Sequence, residues 1–224
     1  MKIHIVTHTK PRANVDPTIS FNSVNAAING LQNVEFHVIK NSCTTRQEYR
    51  DLRYDSLKLC APGDFITFVD DDDTVSLNSI RLCQLAVTQN PNIGLVFTKH
   101  HIVEGNHRRI VEANAVTYEM AMSHPVNVHH LVLMNAQYIT DRSYNISNKY
   151  DFGEEWAMRV EVMQKAEARL IPIIGYNWNQ HELQHSKQSR KDRDDPDTAA
   201  VIRKMSQEFS TWEKKFGGVI PEWS

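Results

Sequence analysis

Short apolar runs alternate with amphipathic segments over the first hundred residues of the chain. The apolar runs have the length of strands and lie at residues 3–6, 35–39, 65–69 and 94–98. The segments between them have helical spacing, and Asp16 and Thr45 are suitable caps for the first two. Strands that alternate with helices favour a mostly parallel sheet covered on both faces. We therefore predict an α/β fold.

The second half of the chain has a less regular pattern. Two short apolar runs flank residues 104–106 and predict a hairpin over 102–111. Further strands are expected at 126–134 and 170–174, with a helix over 154–168 between them. A last amphipathic helix begins near residue 195 and is expected to end at Gly217.

Composition and charge narrow the class of protein. The 224 residues carry a formal net charge of −2, with 41% hydrophobic and 23% charged residues, which is typical of a globular chain rather than a polycation. The three cysteines do not have the spacing of a metal site. No apolar stretch has the length of a membrane span, so we expect no transmembrane segment and a cytoplasmic protein, in the host cytoplasm if it is viral.

Polar residues follow three of the predicted strands. Thr7, His8 and Thr9 end the first strand, Asn41 follows the second, and the run 70–73 follows the third. Ligands of open α/β sheets bind at the carboxyl edge of the strands. Four successive aspartates need compensation of their charge, and Mg²⁺ or Mn²⁺ with its preference for oxygen ligands supplies it. The alternatives are a solvated acidic loop or a cap for the next helix.

This part of the chain resembles the central signature of inverting glycosyltransferases of the GT-A fold, family 2 type. In that signature an arginine-led helix runs to Ala-x-Gly, an apolar strand and then Asp-x-Asp-Asp, and the matching positions here are Arg53, Ala61, Gly63, Asp70, Asp72 and Asp73. The resemblance implies an α/β fold of the nucleotide-diphospho-sugar transferase kind. It implies that Arg53 and Asp70 contact the donor, and we count Asp71, which separates the two acidic contacts, among the donor-binding residues. It further implies that Asp72 and Asp70 bind Mn²⁺ or Mg²⁺ on the diphosphate.

The segment Thr7–Thr9 resembles the family's first nucleotide-contacting loop. One departure concerns the second strand, after which the family usually has an aspartate for the base or ribose. Here the segment is Lys40-Asn41-Ser42, so Asn41 is the expected substitute and the nucleotide preference stays open.

A second acidic site follows Gly153. In the family a Gly-Glu-Asp sequence with a following aromatic residue forms the acceptor side, and this chain has Glu154, Glu155 and Trp156 at those positions. The resemblance implies that Glu155 is the catalytic base, while Glu154 and Trp156 contact the acceptor. The alternative is that both glutamates only stabilise the first turn of a helix through its macrodipole.

Residues near the carboxyl terminus complete the predicted site. By the same resemblance a histidine after the late strand joins the metal shell, and His181 is the candidate, with His185 as its competitor. Lys187 and Arg190 belong to a basic stretch that could close over the phosphates. A surface histidine and a solvated loop are the alternatives.

The predicted function is transfer of a sugar, with inversion, from a nucleotide sugar, most simply a UDP-sugar, to a hydroxyl. The acceptor is either a glycan or a hydroxymethylated base in DNA, as for phage enzymes that modify their own genomes. We divide the chain into a nucleotide-sugar half at 1–100, an acceptor half at 101–186, and a basic loop with a terminal helix at 187–224. The alternatives are a nucleotidyltransferase and a non-catalytic module that binds nucleotide or metal.

Overall fold

The computed structural model describes residues 1–10, 15–111, 128, 130–180 and 196–213, with the side chains of the last segment described over 200–209. Eight strands are present in this part of the chain: β1 (Ile3–Thr9), β2 (Val34–Lys40), β3 (Phe65–Phe68), β4 (Thr74–Val75), β5 (Ile93–Glu104), β6 (His107–Val111), β7 (Val132–Asn135) and β8 (Glu167–Gln180). The helices are α1 (Pro17–Ile28), α2 (Arg46–Asp55), α3 (Ser79–Gln89), α4 (Asp141–Tyr150), α5 (Glu154–Met163) and α6 (Pro196–Glu213).

All eight strands belong to one sheet in the order β2-β1-β3-β7-β5-β8-β4, with β6 paired to β5. The pairs β1–β2, β1–β3 and β5–β8 are parallel, and the other four pairs are antiparallel. The α/β class is therefore confirmed, and the sheet is mixed. The antiparallel strand β7 lies between β3 and β5, so the strands of the two predicted halves form one continuous sheet.

Local sequence accounts for where most elements begin. Asp16 caps α1 by accepting from the Thr18 amide, and Thr45 with Glu48 forms the expected capping box of α2. The hairpin of β5 and β6 turns at Gly105, as predicted. The polar helix α4 was not predicted, because its composition gives no strong apolar stripe. The helix expected over 154–168 ends at Met163, since residues from Glu167 onward pair with β5.

Two apolar layers enclose the sheet. One face packs against α1 and α3 through buried side chains that include Val24, Ile80 and Cys83. The other face packs against α4, α5 and α6 through Ile146, Trp156 and Phe209. No helix in the described ranges is both long enough and apolar enough to cross a bilayer.

The long pair β5–β8 requires a glycine at one crossing point. A Cβ atom placed on Gly175 would lie 2.3 Å from Thr98 Oγ1. The register between the two strands shifts next to this position, at Thr98 and Lys99. The irregular register carries β8 onward to pair with β4, which directly follows the acidic run.

Candidate active site

The acidic run forms a tight turn at the carboxyl edge of β3. The Asp73 amide donates to the Asp70 carbonyl at 3.2 Å, and the Ser20 hydroxyl of α1 donates to the same carbonyl at 3.0 Å. Asp70, Asp72 and Asp73 each present a carboxylate oxygen, and these three atoms lie within 4.8 Å of one another. The turn therefore gathers three carboxyl groups in a small volume.

Asp73 is the buried member of this group, with a solvent exposure of 0%. Its Oδ2 accepts from the Tyr176 hydroxyl at 2.9 Å, and its Oδ1 accepts from the Asn179 amide at 2.7 Å. Burial raises the pKa of the Asp73 carboxyl well above its ordinary value, and the charges of Asp70 and Asp72 raise it further. Asp73 thus anchors the turn to β8. It does not cap the next helix, whose N-cap is Asn78.

Arg53 lies at the centre of the site. It projects from the last turn of α2, is 3% exposed, and stacks on Phe68 with its guanidinium carbon 4.5 Å from the ring centroid. Its Nη2 donates to Asp70 Oδ1 at 2.9 Å and lies 3.2 Å from Glu155 Oε1. The same nitrogen contacts the Tyr49 hydroxyl. One buried cation therefore joins the acidic turn to the first turn of α5.

Glu155 is held between two arginines. Oε1 faces Arg53, while Oε2 accepts from Arg159 one turn further along α5. Arg159 is itself fixed, because its Nη1 donates to the Val128 carbonyl at 2.6 Å. The Glu155 side chain remains 25% exposed. A carboxylate that is both held in place and open to solvent on one side can accept a proton from a bound hydroxyl.

Glu154 occupies the position before Glu155 at the start of α5. Its Oε2 is buried and has no hydrogen-bond partner among the described residues. The N-cap position of this helix is Gly153, whose φ of 62° lies in the left-handed region that favours glycine. Glu154 and Glu155 thus both lie in the first turn of the helix, where its macrodipole stabilises negative charge.

The first strand contributes packing side chains. Thr7 to Thr9 are the last residues of β1 rather than a loop, with Thr7 0% and His8 7% exposed. The His8 ring stacks on Phe68, and its Nε2 lies 2.9 Å from Ser56 Oγ. Burial lowers the pKa of His8 to about 3, with a further contribution from the charge of Arg53. We expected these side chains to contact nucleotide, but those of Thr7 and His8 have almost no free surface.

Two other predicted contacts are also more enclosed than expected. Trp156 is 4% exposed and packs edge-on against Phe209 of α6, so this side chain has a packing role, and its contact with an acceptor stays a prediction. Asp71 is 3% exposed and accepts from the Lys10 amide at 3.3 Å. Sequence position alone could not reveal this burial, because it depends on segments that are distant in the chain.

Asn41 and Thr9 lie together at the edge of the sheet. The Asn41 amide donates to the Thr9 carbonyl at 2.6 Å, and Asn41 Oδ1 accepts from the Cys43 amide at 2.8 Å. The Asn41 side chain therefore closes its own turn, and both residues remain partly exposed. The predicted contacts His181, Lys187 and Arg190, together with His185, lie outside the described residues.

Four residues of the site were not predicted. Arg159 lies four positions after Glu155 on the same helix face, and this spacing is a usable signal for an ion pair. Tyr176 and Asn179 hold Asp73 from 103 and 106 positions away, so nothing local in the sequence indicates them. Tyr49 contacts Arg53 across one helical turn.

The carboxylates fit a hard divalent cation. Asp70 uses Oδ1 for Arg53, and Asp72 lies partly exposed beside it, so their oxygens suit Mg²⁺ or Mn²⁺. Asp73 already has a hydrogen bond on each oxygen and serves as the buried support of this set. The metal at this turn stays a prediction, which the oxygen atoms gathered here support.

The fold is that of the GT-A-like nucleotide-sugar transferases, which confirms the predicted fold class. It resembles the structure of S. aureus TarS residues 1–349 in complex with UDP-GlcNAc, with a TM-score of 0.58, 12% identity, and coverage of 96% of this chain and 73% of that one. The UDP complex of the same protein matches with a TM-score of 0.53, 12% identity, and coverage of 96% and 70%. A further TarS structure gives 0.53 and 14%, with 96% of this chain matched to 44% of that one.

No protein-family model matches the sequence, and no curated protein sequence matches it significantly. At 12–14% identity the likeness to TarS shows the fold alone. The activity therefore has to be argued from the chemistry of the site.

Proposed function

We propose that this chain is a metal-assisted, inverting glycosyltransferase that uses a nucleotide sugar, most simply a UDP-sugar. One observation carries the proposal: Arg53 Nη2 lies 2.9 Å from Asp70 and 3.2 Å from Glu155. Asp70 belongs to the proposed donor and metal side, and Glu155 is the proposed base. Because both carboxylates contact the same guanidinium nitrogen, the proposed donor side and the proposed base lie close together, as a reaction that joins two bound substrates requires.

The choice of donor is supported by the fold neighbours. TarS, whose fold this chain resembles, forms complexes with UDP-GlcNAc and with UDP. The acidic turn lies at the carboxyl edge of β3, next to the end of β1, which is where ligands of open α/β sheets bind. We therefore assign the uridine diphosphate class to the donor and leave the sugar to be identified by the screen below.

Asp70 and Asp72 are the proposed metal ligands, with His181 as the further ligand that the sequence predicts. When bound, Mn²⁺ or Mg²⁺ supplies neutralisation of the negative charge on the diphosphate. Asp73 keeps the turn in place through Tyr176 and Asn179. Arg53 binds Asp70 on the side away from solvent, so the orientation of that carboxylate is fixed before the donor arrives.

Glu155 is the proposed base. The acceptor hydroxyl loses its proton to Glu155, and its oxygen forms a bond to the anomeric carbon while the bond from that carbon to the phosphate oxygen breaks. A single displacement of this kind inverts the anomeric configuration. Arg53 and Arg159 hold one oxygen of Glu155 each, which keeps the carboxylate directed at the reacting hydroxyl. Glu154, beside it, is proposed to hydrogen-bond the acceptor.

The acceptor remains a choice between a glycan hydroxyl and a hydroxymethylated base in DNA. Arg108 and Arg109 are exposed on β6 and support a test with a polyanion. Contacts of this kind weaken steeply as salt rises. Activity toward hydroxymethylated duplex DNA that falls with added salt would support the nucleic acid, whereas no binding to DNA at low salt would exclude it.

The direct test of the proposed function is a thermal-shift and hydrolysis screen of UDP-, GDP- and TDP-sugars with and without Mn²⁺. A ligand at about 100 times its dissociation constant stabilises the fold by about 2.7 kcal/mol. We expect one UDP-sugar to raise Tm and to be hydrolysed slowly, and both effects to require the metal. Asp72→Asn should abolish them, and the exposed control Asp55→Asn should not.

The same screen separates the alternatives. A nucleotidyltransferase would release pyrophosphate from a nucleoside triphosphate, and a non-catalytic module would be stabilised without any turnover. If no nucleotide sugar raises Tm or is cleaved in the presence of Mn²⁺, the proposed function is wrong.

A further inference from the structure

A second group of potential metal ligands lies near the amino ends of β1 and β2, away from the acidic turn at the carboxyl end of β3. His4 is the second residue of β1, and Glu35 and His37 are the second and fourth residues of β2. In the parallel pairing His4 is opposite Glu35, and residues two apart on a strand share a face. At about 3.3 Å per residue, His4 lies roughly 13 Å along β1 from His8 of the proposed active site. The two sites are therefore separate.

The geometry of the three side chains is compact. His4 Nδ1 lies 3.1 Å from His37 Nε2, and Glu35 Oε2 lies 3.7 Å from each of these nitrogens. A point equidistant from three atoms so arranged lies about 2.0 Å from each, which is the length of Zn–N and Zn–O bonds. Three atoms at the corners of such a triangle are close enough to bind one ion together.

The tautomer of His4 is set by a buried carboxylate. His4 Nε2 lies 3.4 Å from Asp64 Oδ2, and the Asp64 carboxylate is fixed by the amides of Lys2 at 2.6 Å and Ala61 at 3.0 Å. The His4 side chain is 4% exposed, so Asp64 is the acceptor for its Nε2 proton. The lone pair of His4 is then on Nδ1, which faces His37 and Glu35. A carboxylate behind a ligating histidine is the usual support of a protein metal site.

The fourth side of the group is open to solvent. Glu35 is 41% and His37 24% exposed, so an ion can enter and keep a water molecule. Lys2 Nζ binds the other Glu35 oxygen, Oε1, at 2.5 Å, which leaves Oε2 directed at the two nitrogens. Two imidazoles and one carboxylate with an open position suit Zn²⁺ and related transition metals rather than Mg²⁺ or Mn²⁺.

We propose that His4, His37 and Glu35 form a Zn²⁺-class transition-metal site that links β1 to β2, with Asp64 orienting His4. The site is independent of the proposed sugar transfer, and the two can fail separately. The alternative occupant of the group is a proton shared between the two imidazoles, and the test distinguishes it from a metal.

The test uses the full chain without an affinity tag and stripped of metal. Zn²⁺ affinity is measured against a chromogenic chelator, and the visible spectrum of added Co²⁺ reports the coordination geometry. We expect one equivalent of Zn²⁺ to depend on this group, with the visible bands of a four-coordinate Co²⁺ complex. His37→Gln and Glu35→Gln should each lower this affinity at least tenfold, and Asp64→Asn should lower it by about 10–100-fold.

Two variants serve as controls. His107→Gln removes an exposed histidine on β6, and Asp55→Asn alters an exposed carboxylate outside both groups, so both should bind this equivalent of Zn²⁺ like the wild type. His37 lies partly exposed near the sheet edge, and far-UV circular dichroism checks that its variant is folded. The proposal is overturned if the wild type shows no Zn²⁺ binding, or if folded His37→Gln and Glu35→Gln variants bind Zn²⁺ as tightly as the wild type.

Discussion

Arg53 and Asp70 are separated by 17 positions in the chain, and their side chains meet at 2.9 Å. The arginine comes from the end of α2 and the aspartate from the turn after β3, so the contact joins α2 to the carboxyl edge of the sheet. Because the same guanidinium nitrogen lies 3.2 Å from Glu155, a change at Arg53 should affect both proposed functions of the site.

Arg53→Lys tests this coupling. Lysine keeps the charge but has no planar fork, so it cannot hold Asp70 and Glu155 in their present geometry. We expect kcat/KM for sugar transfer to fall by about 10²-fold, a loss typical of small misplacements at a reacting centre. Steady-state kinetics with saturating Mn²⁺ measures it. Arg169→Lys, at the far end of β8, is the matched control, and an Arg53→Lys activity close to the wild type would contradict the proposed role.

Tyr176→Phe tests the anchor of the acidic turn. The tyrosine hydroxyl donates to Asp73 at 2.9 Å and accepts from the Asp70 amide at 3.1 Å, and both contacts lie in the interior. Loss of a buried hydrogen-bond partner costs about 1–3 kcal/mol of unfolding free energy. Urea denaturation should show this loss, with a change below about 0.5 kcal/mol for the half-buried control Tyr138→Phe. Equal stability of the two variants would argue against the anchor.

Acid should destabilise the fold through His8 and His100. Burial lowers the pKa of His8 to about 3 and that of His100 to about 4, whereas both would titrate near 6.5 in the unfolded chain. As the pH falls below 6.5, the unfolded state therefore binds protons at these two histidines that the folded state does not bind. Each histidine should reduce the unfolding free energy by about 1.4 kcal/mol per pH unit until its folded pKa is reached.

His8→Gln isolates the first of these contributions, since glutamine can keep the contact with Ser56. Denaturant unfolding between pH 6.5 and pH 4 should show a smaller slope for this variant than for the wild type. The exposed control His107→Gln should keep the wild-type slope. If the His8→Gln slope matches the wild type, His8 is not the buried neutral group that the structure indicates.

Substitutions of Trp156 distinguish a packing role of this side chain from a contact with substrate. The side chain is 4% exposed and meets Phe209 at a ring-centroid distance of 5.9 Å. Trp156→Ala should cost about 3–5 kcal/mol of stability. The milder Trp156→Phe should leave the Kd of the donor and the KM of the acceptor unchanged while lowering Tm. A large rise in acceptor KM in a stable Trp156→Phe protein would restore the role expected from sequence.

The sequence contained enough local information for the first three strands and for the caps of α1 and α2. Arg53, Asp70 and Glu155 are brought together as the family resemblance led us to expect, while their catalytic roles remain predictions. The strands were accessible because alternating strands and helices place successive strand ends at one edge, whereas Arg53 and Glu155 were implied only by the resemblance.

Long-range packing could not be predicted from the sequence in the same way. The burial of Trp156 depends on Phe209 of α6, and the anchoring of Asp73 depends on β8, more than a hundred positions away. The antiparallel insertion of β7 between β3 and β5 is likewise a property of the whole sheet. Helix α4 has a polar composition and is held by contacts such as Thr140 to Glu161 rather than by a clear apolar face.

The proposed base is the centre of the account, and Glu155→Gln with Glu154→Gln as its neighbour control tests it most directly. Sugar transfer and donor affinity are measured on the same folded proteins with Mn²⁺ present. The account predicts that Glu155→Gln binds the donor with a Kd near that of the wild type and loses transfer by about 10²–10⁴-fold, as expected for removal of a general base. Glu154→Gln should keep more activity and chiefly raise the acceptor KM. Undiminished transfer by Glu155→Gln would contradict the account.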